Sequence, residues 1–164
     1  MSYPIILRSF VAFSLSLCAS DGSFAQLRSV PIDELHVRMV DEGKLTIAFF
    51  QTDWCSICHS MRQTTFKDPR VIEILNTHFL FIPFDAEQRQ PIQYDGHTFR
   101  YRPNGSSTGM HEWAMELATV DGRVNFPTVT AFDAQHEILF QHPGLLNPDE
   151  LLAVLEGLLA AEKP

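Results

Sequence analysis

Cysteine is scarce in this chain, with three in 164 residues: Cys18, Cys55 and Cys58. That excludes a small fold stapled by several disulfides. Basic residues are also few, 12 Lys and Arg against 20 Asp and Glu, for a formal charge of −8. A nucleic-acid binder needs a basic patch to displace counterions, so the charge balance speaks against that class of partner. No apolar run reaches the ~20 residues of a bilayer span. There is no internal repeat, no low-complexity tract and no linker long enough to divide domains. What remains is ordinary globular composition, 45% apolar and 20% charged, enough for one domain with a proper core.

Residues 1–25 read as a secretory signal peptide. Arg8 gives a weakly positive start, Phe10 to Ala19 is a short apolar stretch, and Ser23-Phe24-Ala25 places small residues at −3 and −1 of a cleavage site before Gln26. A buried N-terminal helix is the bland alternative. A lipid anchor on Cys18 fits poorly, because Leu17 stands where a small residue is wanted. Removal takes away Arg8, Asp21 and Cys18, so the charge of the mature chain stays at −8 and its cysteines are Cys55 and Cys58. The expected location is periplasmic or otherwise exported, with no membrane span after signal removal. The close pair leaves no spare thiol to mispair in an oxidising compartment.

Along residues 26–164 the pattern is that of one α/β domain. Pro31 to Glu42 predicts a helix, with Ile32, Leu35 and Met39 at helical spacing and Gly43 as a stop. Leu45 to Phe50 is a continuous apolar run that suits a strand buried on both faces. A helix is expected to begin within Thr52 to His59, and another at Asp68-Pro69 with Val71, Ile72 and Leu75 inward. Phe79 to Phe84 predicts a second strand. The segment from Glu87 to Gly122 reads as an insert, comprising a hairpin around Asp95-Gly96, a loop over Pro103 to Gly109, a helix over Met110 to Thr119 and a turn at Asp121-Gly122. Two short strands follow, Thr128 to Phe132 and Glu137 to Gln141. Asn147-Pro148 opens a last helix with a leucine stripe at 151, 152, 155, 158 and 159. A βαβ half followed by a ββα half implies a central mixed sheet with helices on both faces.

The chemistry concentrates at Trp54-Cys55-Ser56-Ile57-Cys58, at a strand-to-helix junction. Cys-x-x-Cys at a helix start puts the second sulfur one turn below the first, close enough for a disulfide. The helix tip concentrates positive potential on Cys55 and lowers its thiol pKa, favouring the thiolate that attacks disulfides. Cys58, one turn in, is expected to be shielded and to resolve the mixed disulfide. Phe126-Pro127-Thr128 opens a strand, where proline is unwelcome unless it is a deliberate cis residue packed beside the dithiol. The backbone of Phe126 is then free to bind an extended substrate segment.

These elements resemble the thioredoxin-like superfamily over roughly residues 30–160. Within it the chain is similar to exported bacterial thioredoxin-family proteins and to the C-terminal domain of the transmembrane thiol:disulfide interchange protein, a likeness that Met61 to Val71 supports. The resemblance implies a thioredoxin-like fold, Cys55 as nucleophile, Cys58 as resolving thiol, Trp54 as a cover beside them and Pro127 as the cis proline. It implies protein disulfide or dithiol clients, a partner protein supplying electrons, and no organic cofactor. Two departures stand out. The family's buried acid, six residues before the first cysteine, is replaced by Phe49, and its partner lysine falls near Phe81. Proton transfer then has to use water, Asp53 or another group.

Three rival readings share the motif. A purely structural disulfide gains little from so short a loop. Cys55-Ser56-Ile57-Cys58-His59 also spells the C-x-x-C-H attachment pattern of c-type haem, with His59 as axial ligand. A strand leading straight into the motif argues against that reading. A Cu(I) chaperone is the third, using the two cysteines with His59 or Met61. The other histidines (His36, His78, His97, His111, His136 and His142) show no metal-ligand spacing and read as surface or loop, and Trp113 with the insert's aromatic residues reads as local core. Ser56-Ile57 carries no imidazole to stabilise a reduced thiolate, so a reductant is expected over a strong oxidant.

Overall fold

The computed structural model describes residues 26–161; the expected signal peptide, residues 1–25, lies outside the described residues. The centre is a four-stranded mixed sheet in the order β10–β9–β1–β2. Strand β1 (Thr46–Gln51) is buried at its first five positions, as its unbroken apolar run requires. It pairs parallel with β2 (Leu80–Asp85) and antiparallel with β9 (Thr128–Phe132), which in turn pairs antiparallel with the edge strand β10 (Ile138–Pro143).

A parallel pair needs a crossover, and α2 (Ser56–Gln63), a 3-10 turn (Thr65–Lys67) and α3 (Pro69–His78) supply it. Asp68 caps α3, its carboxylate accepting from the Arg70 amide at 2.9 Å, with Pro69 at the first helical position. The Arg70 guanidinium holds the Asp68 carboxyl down at about 2. It also reaches Asp149 at 2.9 Å, joining α3 to α5 (Pro148–Ala161).

Alternation along the strands divides the core into two layers. Ile47, Phe49, Phe81, Val129 and Ala131 face α2, α3 and α5, where Val71, Leu75, Leu151 and Leu155 are fully buried. Ala48, Phe50, Ile82, Phe84 and Phe132 face the other way, onto Leu35 and Met39 of α1 (Ile32–Glu42) and onto Trp113 of α4 (Glu112–Leu117). The leucine stripe of α5 is inward as expected, with Leu152, Leu158 and Leu159 half-buried beside the two buried leucines.

The insert completes the second layer. Its first hairpin, β3 (Ile92–Tyr94) and β4 (His97–Phe99), turns at Asp95-Gly96, where both residues have positive φ. Tyr94 is buried and donates its hydroxyl to Met39 Sδ at 3.7 Å. The stretch expected as loop contains a second hairpin, β5 (Tyr101–Pro103) with β6 (Gly109–His111). A Cβ on Gly109 would stand 2.5 Å from the Tyr101 ring and from the Arg102 carbonyl, so this pairing depends on glycine. The helix expected from Met110 starts only at Glu112, because Met110 and His111 belong to β6. His111 caps the helix, its Nδ1 accepting from the Trp113 amide at 3.3 Å. Two-residue strands β7 (Thr119–Val120) and β8 (Arg123–Val124) flank the Asp121-Gly122 turn. Trp113 is 1% exposed, a core residue as its sequence context implies. Among the described residues no helix is long and apolar enough to cross a membrane.

Candidate active site

Strand β1 ends at Gln51, and the chain turns through Thr52 to Cys55, whose amide donates to the Thr52 carbonyl at 3.2 Å. The turn brings Cys55 to the N-cap of α2, in extended backbone geometry. Its sulfur accepts from the Cys58 amide at 3.1 Å and is bonded to the Cys58 sulfur, the two Cα atoms lying 5.2 Å apart. Both cysteines belong to the core cluster, Cys55 keeping 6% exposure and Cys58 none. With the bond open, the same amide and the unpaired N–H groups of the first turn act on the Cys55 thiolate.

The other expected residues collect at this end of the sheet. Phe50 pairs with Thr128, so Pro127 lies level with Gln51, the last residue of β1, where the dithiol turn begins. The Phe126–Pro127 bond is cis. Pro127 is buried, and its carbonyl accepts from the Gly144 amide at 2.7 Å, tying it to the segment after β10. Phe126 packs against the cluster that contains both cysteines, and among the described residues no backbone hydrogen bond engages it. Trp54 is 68% exposed, its ring edge-to-face with Phe126 at 6.1 Å.

Behind Cys58 the site is aromatic. Phe49 is fully buried against Phe66, ring centroids 4.7 Å apart, and Phe66 meets Phe81 at 5.0 Å. These three positions carry no carboxylate or amine. A groove of about 850 Å³ runs along these rings, with His59, Arg62 and Lys67 among the residues lining it. Asp53 is exposed. Sequence reasoning missed Phe66, which closes the wall, and two exposed apolar residues, Ile57 within the motif and Leu145. Leu145 lies just beyond Pro143, the partner of Thr128, and so at the dithiol end; no local pattern in the sequence marks it.

The cysteines do not gather with His, Asp or Glu into a three-ligand set among the described residues. His59 is exposed while Cys58, one residue before it on α2, is fully buried.

The sequence profile of the thioredoxin-like domain family matches residues 33–159. No curated protein sequence gives a significant match. Among solved structures the chain is similar to the oxidoreductase DsbH, with a TM-score of 0.60 and 16% identity over 83% of this chain and 86% of that one. It is similar to a thioredoxin from Thermus thermophilus, with a TM-score of 0.60 and 19% identity over 84% and 91% of the two chains. A thioredoxin-fold protein from Helicobacter pylori superposes with a TM-score of 0.54 at 17% identity, over 71% of this chain and 70% of that one. At these identities the likeness to the solved structures is one of fold. A family profile spanning most of the chain, on a fold that brings a closed Cys-x-x-Cys pair to a helix tip, identifies this chain as a member of the thioredoxin-like family and a thiol–disulfide oxidoreductase.

Proposed function

We propose that the protein is exported and reduces disulfides in client proteins, with Cys55 as nucleophile and Cys58 as resolving thiol. The observation that carries this reading is the asymmetry of the pair. The Cys55 sulfur sits at the α2 tip, accepting the Cys58 amide, and Cys58 is sealed behind it. In the reduced protein the Cys55 thiolate attacks a client disulfide. One client sulfur leaves as a thiolate and takes a proton from water, and the other joins Cys55 in a mixed disulfide. Cys58 then loses its proton and attacks Cys55, closing the Cys55–Cys58 bond and releasing the second client thiol. The client gains two electrons and the protein loses two, which a dithiol partner protein restores.

Clients are held at an apolar rim formed by Trp54, Ile57 and Leu145, with the free backbone of Phe126 beside cis-Pro127 available to an extended segment. The reductant direction is supported by what surrounds the thiolate. Ser56 and Ile57 supply no cation between the cysteines, and Phe49 and Phe81 supply none behind them. Export is supported by the signal-like residues 1–25 and by a mature chain whose two cysteines pair with each other. A haem attached through C-x-x-C-H needs both sulfurs free to bond the porphyrin, and here the two are bonded to each other with Cys58 fully buried.

A disulfide-reduction assay on the protein without residues 1–25, with Cys55→Ser and Cys58→Ser, tests the reading. Cys55→Ser is expected to abolish turnover. Cys58→Ser is expected to accumulate a mixed disulfide with the client. Turnover that survives Cys55→Ser overturns the assignment, and a Soret band in the purified protein turns it toward haem.

A further inference from the structure

We infer that His36, Asp95 and His136 form a binding site for a divalent transition-metal ion, zinc foremost, remote from the dithiol. The three come from separate elements: His36 from α1, Asp95 from the β3–β4 turn and His136 from the β9–β10 turn. His36 Nε2 lies 3.2 Å from Asp95 Oδ1, and His136 Nε2 lies 3.4 Å from Asp95 Oδ2. All three ligand atoms fall within 4.8 Å of one another. Metal–ligand bonds of ~2.0–2.1 Å in tetrahedral geometry put neighbouring donors roughly 3.4 Å apart, so an ion fits with little movement.

The set suits a cation better than it suits an ion pair. The imidazoles stack with centroids 5.5 Å apart, and a single carboxylate cannot balance two imidazolium charges at that spacing. Two neutral imidazole nitrogens and one carboxylate are instead a borderline donor set with one negative charge, matched to zinc or its neighbours in the first transition row. The side chains are held in place from behind. Tyr94 is edge-on to both imidazoles, at 5.9 Å from His36 and 5.4 Å from His136. Among the described residues His36 Nδ1 is buried without a partner, so the ring's polar contact is made through Nε2. His136 has a positive φ of 65° in a turn pinned by Asp133, whose carboxylate accepts from the Gln135 and Glu137 amides, each at 2.9 Å, and whose carbonyl accepts from the His136 amide at 3.0 Å.

Asp95 and His136 also line a groove of about 510 Å³, from which water can reach a fourth coordination position. An ion here ties α1, the insert and the β9–β10 turn together. The site lies at the far end of the sheet from the redox pair. Thr46 pairs with Phe132, so the turn carrying His136 follows the start of β1, whereas Cys55 follows its end. The site therefore does not depend on the redox assignment.

The test is a zinc titration of the full, untagged chain with Cys55–Cys58 oxidised and any free thiol alkylated, which silences the sulfur ligands. One equivalent is expected to bind and to raise the melting temperature. His36→Ala, His136→Ala and Asp95→Asn are each expected to weaken binding at least tenfold and to cancel the thermal shift. Disulfide reductase activity, measured in unalkylated samples, stays unchanged and shows that the variants fold. Cobalt in place of zinc is expected to give the intense visible bands of a tetrahedral site in the wild type alone. Absence of stoichiometric zinc binding, or equal affinity in His36→Ala, overturns the inference and leaves the three side chains as an ion-paired surface cluster.

Discussion

Phe49 is the residue that most changes how the proposed chemistry has to run. It is fully buried and meets Phe66 edge-to-face, with Phe66 tilted against Phe81, so none of these three positions offers Cys58 a carboxylate to receive its proton. On the proposed cycle that proton leaves through water, and the rate of resolution follows a single thiol ionisation. Phe49→Asp is expected to add a second inflection to the pH–rate profile. It also destabilises the fold by at least about 3 kcal/mol, because a large buried ring is lost and a carboxyl takes its place. An unchanged profile in a folded Phe49→Asp protein would remove the role given to this wall. Trp54 offers the opposite case. At 68% exposure it contributes little to packing, so Trp54→Ala is expected to shift stability by no more than about 0.5 kcal/mol. On the proposed reading, its loss is expected to raise KM for a protein client several-fold with little effect on kcat. A kcat loss at constant KM would place Trp54 in the chemistry instead. Cys55, Cys58 and the cis Pro127 were legible in the sequence because helix-start spacing and an out-of-place proline are local signals. His36, Asp95 and His136 were not, since their meeting depends on how α1, the insert and the β9–β10 turn fold over one another.

His111 shows how a single element depends on a protonation state. Its Nδ1 accepts from the Trp113 amide at the start of α4, and Nε2 faces the Gln90 carbonyl at 3.2 Å, which suits the neutral tautomer with its proton on Nε2. Burial pushes its pKa below the ordinary 6.5. The unfolded chain therefore binds this proton at a higher pH than the fold does. The stabilisation from neutral His111 is complete above about 6.5 and is lost as pH falls through the lower folded value. The melting temperature is expected to fall between about pH 7.5 and pH 5, and His111→Asn, which keeps a capping acceptor, is expected to flatten that fall. Asp68, held at about 2, and Glu42 and Glu112, both held below 4.5, titrate outside this window. An undiminished fall in His111→Asn would assign it to other groups. The same segment marks the limit of sequence reading at the element scale. Strands β1 and β2 announce themselves as apolar runs, β9 as a short β-favouring stretch after Pro127, and α3 by its Asp-Pro cap. Strands β5 and β6 are three residues each, with Arg102 exposed, and they pair because Gly109 lets the Tyr101 ring approach. That contact is tertiary and leaves no periodicity behind.

The whole molecule decides the redox direction, because a disulfide's potential reflects how differently the fold stabilises its two states. In the oxidised protein Cys58 is uncharged and buried, and the Cys55 sulfur has its amide partner. Reduction places a thiolate at the helix tip with one turn of amides for support. No imidazole lies between the cysteines, and the wall behind them is aromatic. The three-residue span of the bond contributes little loop entropy, so the balance rests on these surroundings. The oxidised protein is therefore expected to unfold at higher urea concentration than the reduced one, with a potential near the roughly −270 mV of thioredoxin rather than the roughly −120 mV of a strong periplasmic oxidant. That separation is large enough to decide the matter. At about 1.4 kcal/mol per 30 mV, the roughly 150 mV between the two classes corresponds to about 7 kcal/mol in the relative stability of the two forms. Paired urea titrations of oxidised and reduced protein read this difference directly, without a client or an electron donor. A reduced form more stable than the oxidised one would reverse the proposed direction while leaving the dithiol chemistry intact, since the same attack and resolution at Cys55 and Cys58 run either way.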